Sequence, residues 1–301
     1  MKKFTSQEIK EFISKPLFDE RVILNKDSSW PKISIVTPSY NQAQFLERTI
    51  LSVLNQNYPN LEYIIIDGGS TDESVKIIKK YEKYLTYWVS EKDNGQADAI
   101  NKGFSKSSGE ILAYINSDDV YFPGTFLKIV KIFNENPKTD LVFGNIMFID
   151  CYDNFIGELR FTPFNIETLI YEGGNLHQTG TFWTRKIYDK VGGFNPKYTF
   201  CMDFDFFCRV AEVGSMVHIR DYLSCFRIHE KAKSSTIKHI GLAEHEEIAK
   251  RYRKNNNKFY LEYKRMVCQV RRFFYYIAQG DADYAVKGVI KRMRGLLYRK
   301  L

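Results

Sequence analysis

Between Ile33 and Ile115 short apolar runs alternate with segments of helical period, and this rhythm constrains the fold more than any other feature of the chain. ISIVTP (33–38), YIIID (63–67), YWVS (87–90) and ILAYI (111–115) each read as a strand. Between the first two, Ala43 to Leu54 sets Phe45, Leu46, Ile50, Leu51 and Leu54 on one helical face. After the second, Ser70 or Thr71 offers a cap for a helix running to about Tyr84, and residues 95–106 give a third helix. Strand and helix in turn predict an α/β fold whose mostly parallel sheet is covered on both faces.

The second half is less regular. Leu141 to Ile149 reads as a strand, Tyr152 to Arg160 as its hairpin partner, Asp203 to Glu212 as a helix and Met216 to Tyr222 as a short strand. Gly192 and Gly193 mark a turn, and beyond about Ile237 the pattern is helical. At 301 residues the chain admits one large domain with an appendage, or two domains. No run of 18 apolar residues is present, and MKKFTSQEIKEFISKPLF lacks a continuous apolar stretch, so a cytoplasmic protein is expected. Cysteines 151, 201, 208, 225 and 268 form no C-x-x-C pair, which argues against a disulfide framework or a structural zinc.

In an open parallel sheet, ligands bind at the carboxyl ends of the strands. Pro38, Ser39, Tyr40 and Asn41 follow the first strand; Asp67, Gly68, Gly69 and Ser70 the second; Asn116, Ser117, Asp118 and Asp119 the fourth. Adjacent carboxylates repel unless something holds them. A hard divalent cation completed by substrate phosphate removes the repulsion, and Tyr40 and Asp67 then suit a nucleotide base. The alternative is that Asp118 and Asp119 cap a helix starting near Pro123.

SIVTPSYNQ, IIIDGGSTDES, DNGQADAINKG, GEILAYINSDD and GGFNPKYTFCMDFDFFCRV, in this order and spacing, resemble glycosyltransferase family 2 over residues 31–230. The resemblance implies a GT-A fold with a Rossmann-like sheet, and a nucleotide-sugar half (31–120) joined to an acceptor half (121–236). An N-terminal extension (1–30) and a basic helical region (237–301) would flank them. It implies that Pro38, Ser39, Tyr40, Asn41, Asp67 and Gly68 surround the base, that Gln96, Asp98 and Asn101 contact the donor, and that Asp118 touches the ribose. Asp119 would bind Mn2+ or Mg2+, with His229 approaching it, while Arg227 and Lys233 could hold phosphate. Asp203 matches the base that deprotonates the acceptor hydroxyl in an inverting displacement. His177, Gln178, Met202 and Asp205 would face the acceptor. The chain departs from the family's common pattern at Met202, where glutamate is usual, and at Ile100, where many relatives carry arginine.

The implied substrates are a nucleoside-diphosphate sugar, a UDP-sugar first, and a saccharide or polyprenyl-linked acceptor in polysaccharide or glycan assembly. From Arg251 to Leu301, Lys and Arg number 14 against 3 acidic residues, interleaved with Phe, Tyr, Leu, Val and Met. Helices of this composition lie in an anionic membrane interface, or pack on the catalytic domain and leave a basic surface. Membrane binding would place the protein on the inner face of the cell membrane; nucleic acid is excluded because no recognised module accompanies the charge. Two other readings compete. A sugar nucleotidyltransferase wants a glycine-rich basic loop after the first strand, which PSYNQAQF lacks. A binding module without catalysis has no need of Asp119 and Asp203.

Overall fold

Strand β1 (Ile33–Ser39) is buried along its whole length, as a strand inside a doubly covered sheet must be. In the computed structural model, which describes residues 3–163, 165–172 and 176–293, its neighbours run parallel to it. On one side lie β2 (Leu61–Asp67) and then β3 (Tyr87–Ser90); on the other lies β4 (Ile111–Tyr114). Side chains alternate between two cores. Tyr63 and Ile65 join helix α3 (Ala43–Leu54) on one face, while Ile64 and Ile66 join α5 (Gln96–Ser105) on the other. At Gly103 a Cβ would stand 2.4 Å from the Val36 side chain, so only glycine lets α5 lie this close to β1.

The remaining elements follow in chain order: β5 (Val120–Tyr121), β6 (Leu141–Ile149), β7 (Phe155–Leu159), β8 (Thr181–Thr184) and β9 (Met216–Arg227). The other helices are α1 (Ser6–Ser14), α2 (Glu20–Asn25), α4 (Ser74–Tyr81), α6 (Thr125–Glu135), α7 (Ile166–Glu172), α8 (Arg185–Val191) and α9 (Met202–Val213). They end with α10 (Lys233–Thr236), α11 (Lys238–Tyr252), α12 (Lys258–Ala278) and α13 (Ala282–Met293). Among the described residues the sheet order is β3-β2-β1-β4-β8-β6-β9-β5, with β7 paired to β6.

Three expectations change. Beyond β4 the sheet is mixed: β8 runs antiparallel to both β4 and β6, and β5 antiparallel to β9. Strand β9 continues past Tyr222 to Arg227, because pairing with β5 and β6 extends it. Helix α4 begins at Ser74, and Ser70 does not cap it; its hydroxyl donates to Asp67 instead.

Residues 3–30 contribute to a core. Thr5 and Glu8 make a capping box at α1, Phe4 stacks on Phe122 with centroids 4.4 Å apart, and Ile9, Phe12 and Ile13 pack with Val120 and Tyr222. The C-terminal helices likewise pack on the preceding chain. Lys264 pairs with Glu167 at 2.7 Å, Arg272 with Glu172 at 3.2 Å, and the Tyr276 hydroxyl donates to the Arg160 carbonyl at 2.6 Å. The last of the basic tail, 294–301, lies outside the described residues. Among the described residues no helix is long and apolar enough to cross a membrane.

Candidate active site

A cavity of about 1120 Å³ opens at the carboxyl ends of β1 and β4, where their polar termini were expected to converge. Pro38, Ser39 and Tyr40 leave β1 along one wall, with the Tyr40 ring exposed at the mouth. The hydroxyl of Ser39 is buried and has no partner among the described residues. Asn116, Ser117 and Asp118 form the adjoining wall, and Gln96, at the start of α5, donates to Asn116 Oδ1 at 2.6 Å. From the other half come His177, Gln178, Met202 and Asp203.

The two acids that follow β4 part company. Asp119 turns away from the cavity and is 1% exposed; its carboxylate accepts the Arg227 backbone N–H at 2.9 Å and Gln178 Nε2 at 3.1 Å. Burial, and secondarily the Asp118 charge, push its carboxyl well above the usual carboxylate range. Asp118 faces the cavity, with Oδ2 3.0 Å from His229 Nε2. His229 therefore meets Asp118, not Asp119 as expected, because the β5–β9 pairing carries the end of β9 past this carboxylate. Neither acid caps a helix: α6 starts at Thr125 behind Gly124.

Arg227 was a candidate for phosphate. It is wholly buried instead, donating Nε to the Asp118 carbonyl at 2.7 Å and pairing with Asp153 at 2.6 Å. It pins the acid loop from behind. Lys233 does reach the cavity, where Nζ donates to Gln96 Oε1 and the Thr199 carbonyl, both at 2.6 Å, and so ties the start of α5 to the loop before α9.

Asp203 stands one residue inside α9, on the cavity wall, and accepts the Phe204 N–H at 2.7 Å. Burial pushes its carboxyl up to about 6, against the opposing pull of that N–H and of Lys233. Met202 beside it is buried and also lines the cavity. Asp205, expected at the acceptor, faces elsewhere: it pairs with Arg209 at 2.9 Å and with Arg251, and so fastens α9 to α11.

Five donor-side expectations also receive structural roles. Asp67 is buried and its carboxylate accepts from Ser70 (N–H at 2.8 Å, hydroxyl at 2.5 Å) and from the Ser90 hydroxyl at 2.7 Å, so it holds the loop under the base wall without facing the cavity. Gly68 donates its N–H to the Ser39 carbonyl at 2.8 Å, and Asn41 accepts the Thr71 N–H at 2.8 Å on the exposed rim. Asp98 accepts the Asn94 N–H at 3.0 Å ahead of α5. Asn101 exchanges two bonds with the Phe194 backbone, at 2.7 and 2.9 Å, and fixes the turn that follows Gly193. Ile100, where the resemblance leads one to look for arginine, is core.

Residues from the C-terminal helices went unnoticed as site residues. Leu242, His245 and Arg265 line the cavity, and the His245 ring stacks on Phe204 with centroids 4.2 Å apart. Nothing local in the sequence marks them, since their role depends on how α11 and α12 fold back.

Residues 34–193 match the family model described as glycosyl transferase family 2. An uncharacterized glycosyltransferase of Mycobacterium tuberculosis is 30% identical over 204 residues, 66% of this chain and 76% of the relative. A "PGL/p-HBAD biosynthesis glycosyltransferase" of Mycobacterium bovis is 27% identical, covering 63% of this chain and 75% of the relative. Among solved structures, mannosyltransferase PcManGT from Pyrobaculum calidifontis, in complex with GDP-Man and Mn2+, covers 98% of this chain and 88% of its own at a TM-score of 0.59 and 17% identity. S. aureus TarS in complex with UDP-GlcNAc covers 89% of this chain and 93% of its own, with a TM-score of 0.57 and 16% identity. At these identities the structures share the fold.

Proposed function

The chain belongs to glycosyl transferase family 2, and from that premise we propose that it is a metal-dependent, inverting transferase moving a sugar from a nucleoside-diphosphate donor to an acceptor hydroxyl. The observation that carries this reading is that one cavity is lined by both Asp118, which meets His229 at 3.0 Å, and Asp203. The nucleotide base rests by Tyr40, and the unpartnered Ser39 hydroxyl supplies a hydrogen bond there. Structural neighbours in complex with UDP-GlcNAc and with GDP-Man support both UDP- and GDP-sugars; a UDP-linked hexose or N-acetylhexosamine is the first candidate.

Asp118 and His229 would hold the cation, Mn2+ or Mg2+. The donor set fits: a carboxylate oxygen on the cavity wall and, 3.0 Å from it, an imidazole nitrogen. Among the described residues no third His, Cys, Asp or Glu completes a metal cluster, which leaves positions for diphosphate oxygens. When bound, the cation supplies positive charge for the leaving diphosphate. The chain's own groups do the rest. Asp203 takes the acceptor's proton as the acceptor oxygen bonds to the anomeric carbon and the bond from that carbon to the diphosphate breaks. Lys233 and Gln96 tie the two halves together over the donor. The acceptor is a saccharide or a lipid-linked saccharide of polysaccharide or glycan assembly, with His177 and Gln178 beside it.

The C-terminal helices rest on an anionic membrane surface, at the inner face of the cell membrane. Phe259, Tyr263, Met266, Val270, Phe274 and Ile277 recur at helical spacing on α12 and are all exposed. The surrounding excess of Lys and Arg complements anionic headgroups.

Incubation with UDP- and GDP-sugars and Mn2+ tests the function. Release of free nucleoside diphosphate supports the transferase; pyrophosphate-dependent formation of a nucleoside triphosphate, or binding without turnover, overturns it.

A further inference from the structure

On its acceptor side the cavity is walled by Phe148, Leu159, Leu169, Leu176, Phe207 and Phe226, drawn from five separate elements and the loop that follows α7. Leu169 and Phe207 have almost no exposed surface, so this wall is interior and no part of the open rim. His177 sits among the rings of Phe148, Phe161 and Phe226, at centroid distances of 5.1 to 6.4 Å, and burial keeps its imidazole neutral, with a pKa lowered to about 4. Beside it, Gln178 is 4% exposed, and its Oε1 has no partner among the described residues.

A saccharide pushed against such a wall would lose water from each hydroxyl and find no replacement bond, so each such group weakens binding. An alkyl, prenyl or aryl group gains from the same burial. The space suffices, since the cavity of about 1120 Å³ exceeds the roughly 300–1,000 Å³ usual for one small ligand.

Resting on the transferase reading above, we infer that the acceptor is an amphiphilic alcohol. Its apolar aglycone lies against Leu159, Leu169, Leu176 and Phe207, and its polar end meets the free Gln178 Oε1.

The test uses the full chain with Mn2+ and UDP, titrated calorimetrically with methyl, butyl, hexyl and octyl β-D-glucosides below their micellar concentrations, and with phenyl β-D-glucoside. Affinity is expected to rise about two- to fourfold per methylene, with one site per chain; a stronger response to phenyl than to butyl would mark an aryl acceptor. In Leu159→Asp, at the edge of the wall, the chain-length dependence should vanish, while Phe274→Ser, on the exposed face of α12, should keep it. If Leu159→Asp does not fold, Leu176→Asn serves instead. A flat series in the wild type, or a slope that survives these wall substitutions, overturns the inference. Failure of the transferase reading is visible separately, as absence of nucleoside diphosphate release from any sugar nucleotide without glucoside present.

Discussion

The backbone N–H of Arg227 donates to Oδ1 of Asp119 at 2.9 Å across 108 residues of sequence, and the Arg227 guanidinium donates to the carbonyl of Asp118 next door. One strand end thereby fixes both members of the acid pair. Asp119 is the anchor and Asp118 is left to face the cavity.

This arrangement makes Arg227 a positioning residue. Arg227→Ala removes the nearer of two cationic partners of the buried Asp153, leaving Arg48 at 3.4 Å, and one tether of the acid loop. A loss of about 3–5 kcal/mol is expected from breaking a buried pair on one side. Urea denaturation measures it, and a loss under 1 kcal/mol would show that the cluster relaxes freely.

The two cavity acids separate binding from chemistry. Asp118→Ala should abolish Mn2+-dependent binding of a sugar nucleotide, whereas Asp203→Ala should bind donor and metal and lose transfer by at least about 10²-fold. Calorimetry and a coupled assay of diphosphate release read the two effects. Equal loss of donor binding in both variants would contradict the division of roles.

Asp203 also sets a pH dependence. Burial raises its carboxyl to about 6, and the base must be ionised, so kcat/KM should fall about tenfold per pH unit below that value and level off above it. Stability runs the other way. The folded value lies above the 3.8 of an unfolded aspartate, so this group's contribution is fully present below about pH 4 and is lost as pH rises through 6. Asp203→Asn should therefore be more stable than wild type at pH 8, by up to about 3 kcal/mol. Rate profiles and melting curves over pH 4–8 check both signs.

Membrane association has its own readout. Co-sedimentation with vesicles containing phosphatidylglycerol should exceed that with phosphatidylcholine alone and weaken in 0.5 M salt, to roughly a tenth or less. Substituting serine at both Phe259 and Phe274, which are 82% and 64% exposed, should reduce it further. Equal binding to both lipids would favour a protein partner for this face.

Local pattern was enough for the first four strands, α3 and the strand ends that build the cavity, because period and β-branching act over a few residues. ILAYI and the polar residues behind it mark a site from local pattern alone. Which carboxylate faces that site was not a local matter. Asp118 and Asp119 are chemically identical neighbours, and only the pairing of β5 with β9 brings Arg227 to one and His229 to the other. The same holds for Asp205, Asn101 and Asp67, whose side chains read as ligand contacts but meet partners supplied by distant segments. Asp203 lies on the cavity wall because the start of α9 sets its direction, yet its raised pKa comes from the burial around it. Composition established that the chain could bury a core and carry a basic tail; tertiary packing decided that α11 and α12 would help wall the cavity, since burial is a property of surfaces that meet.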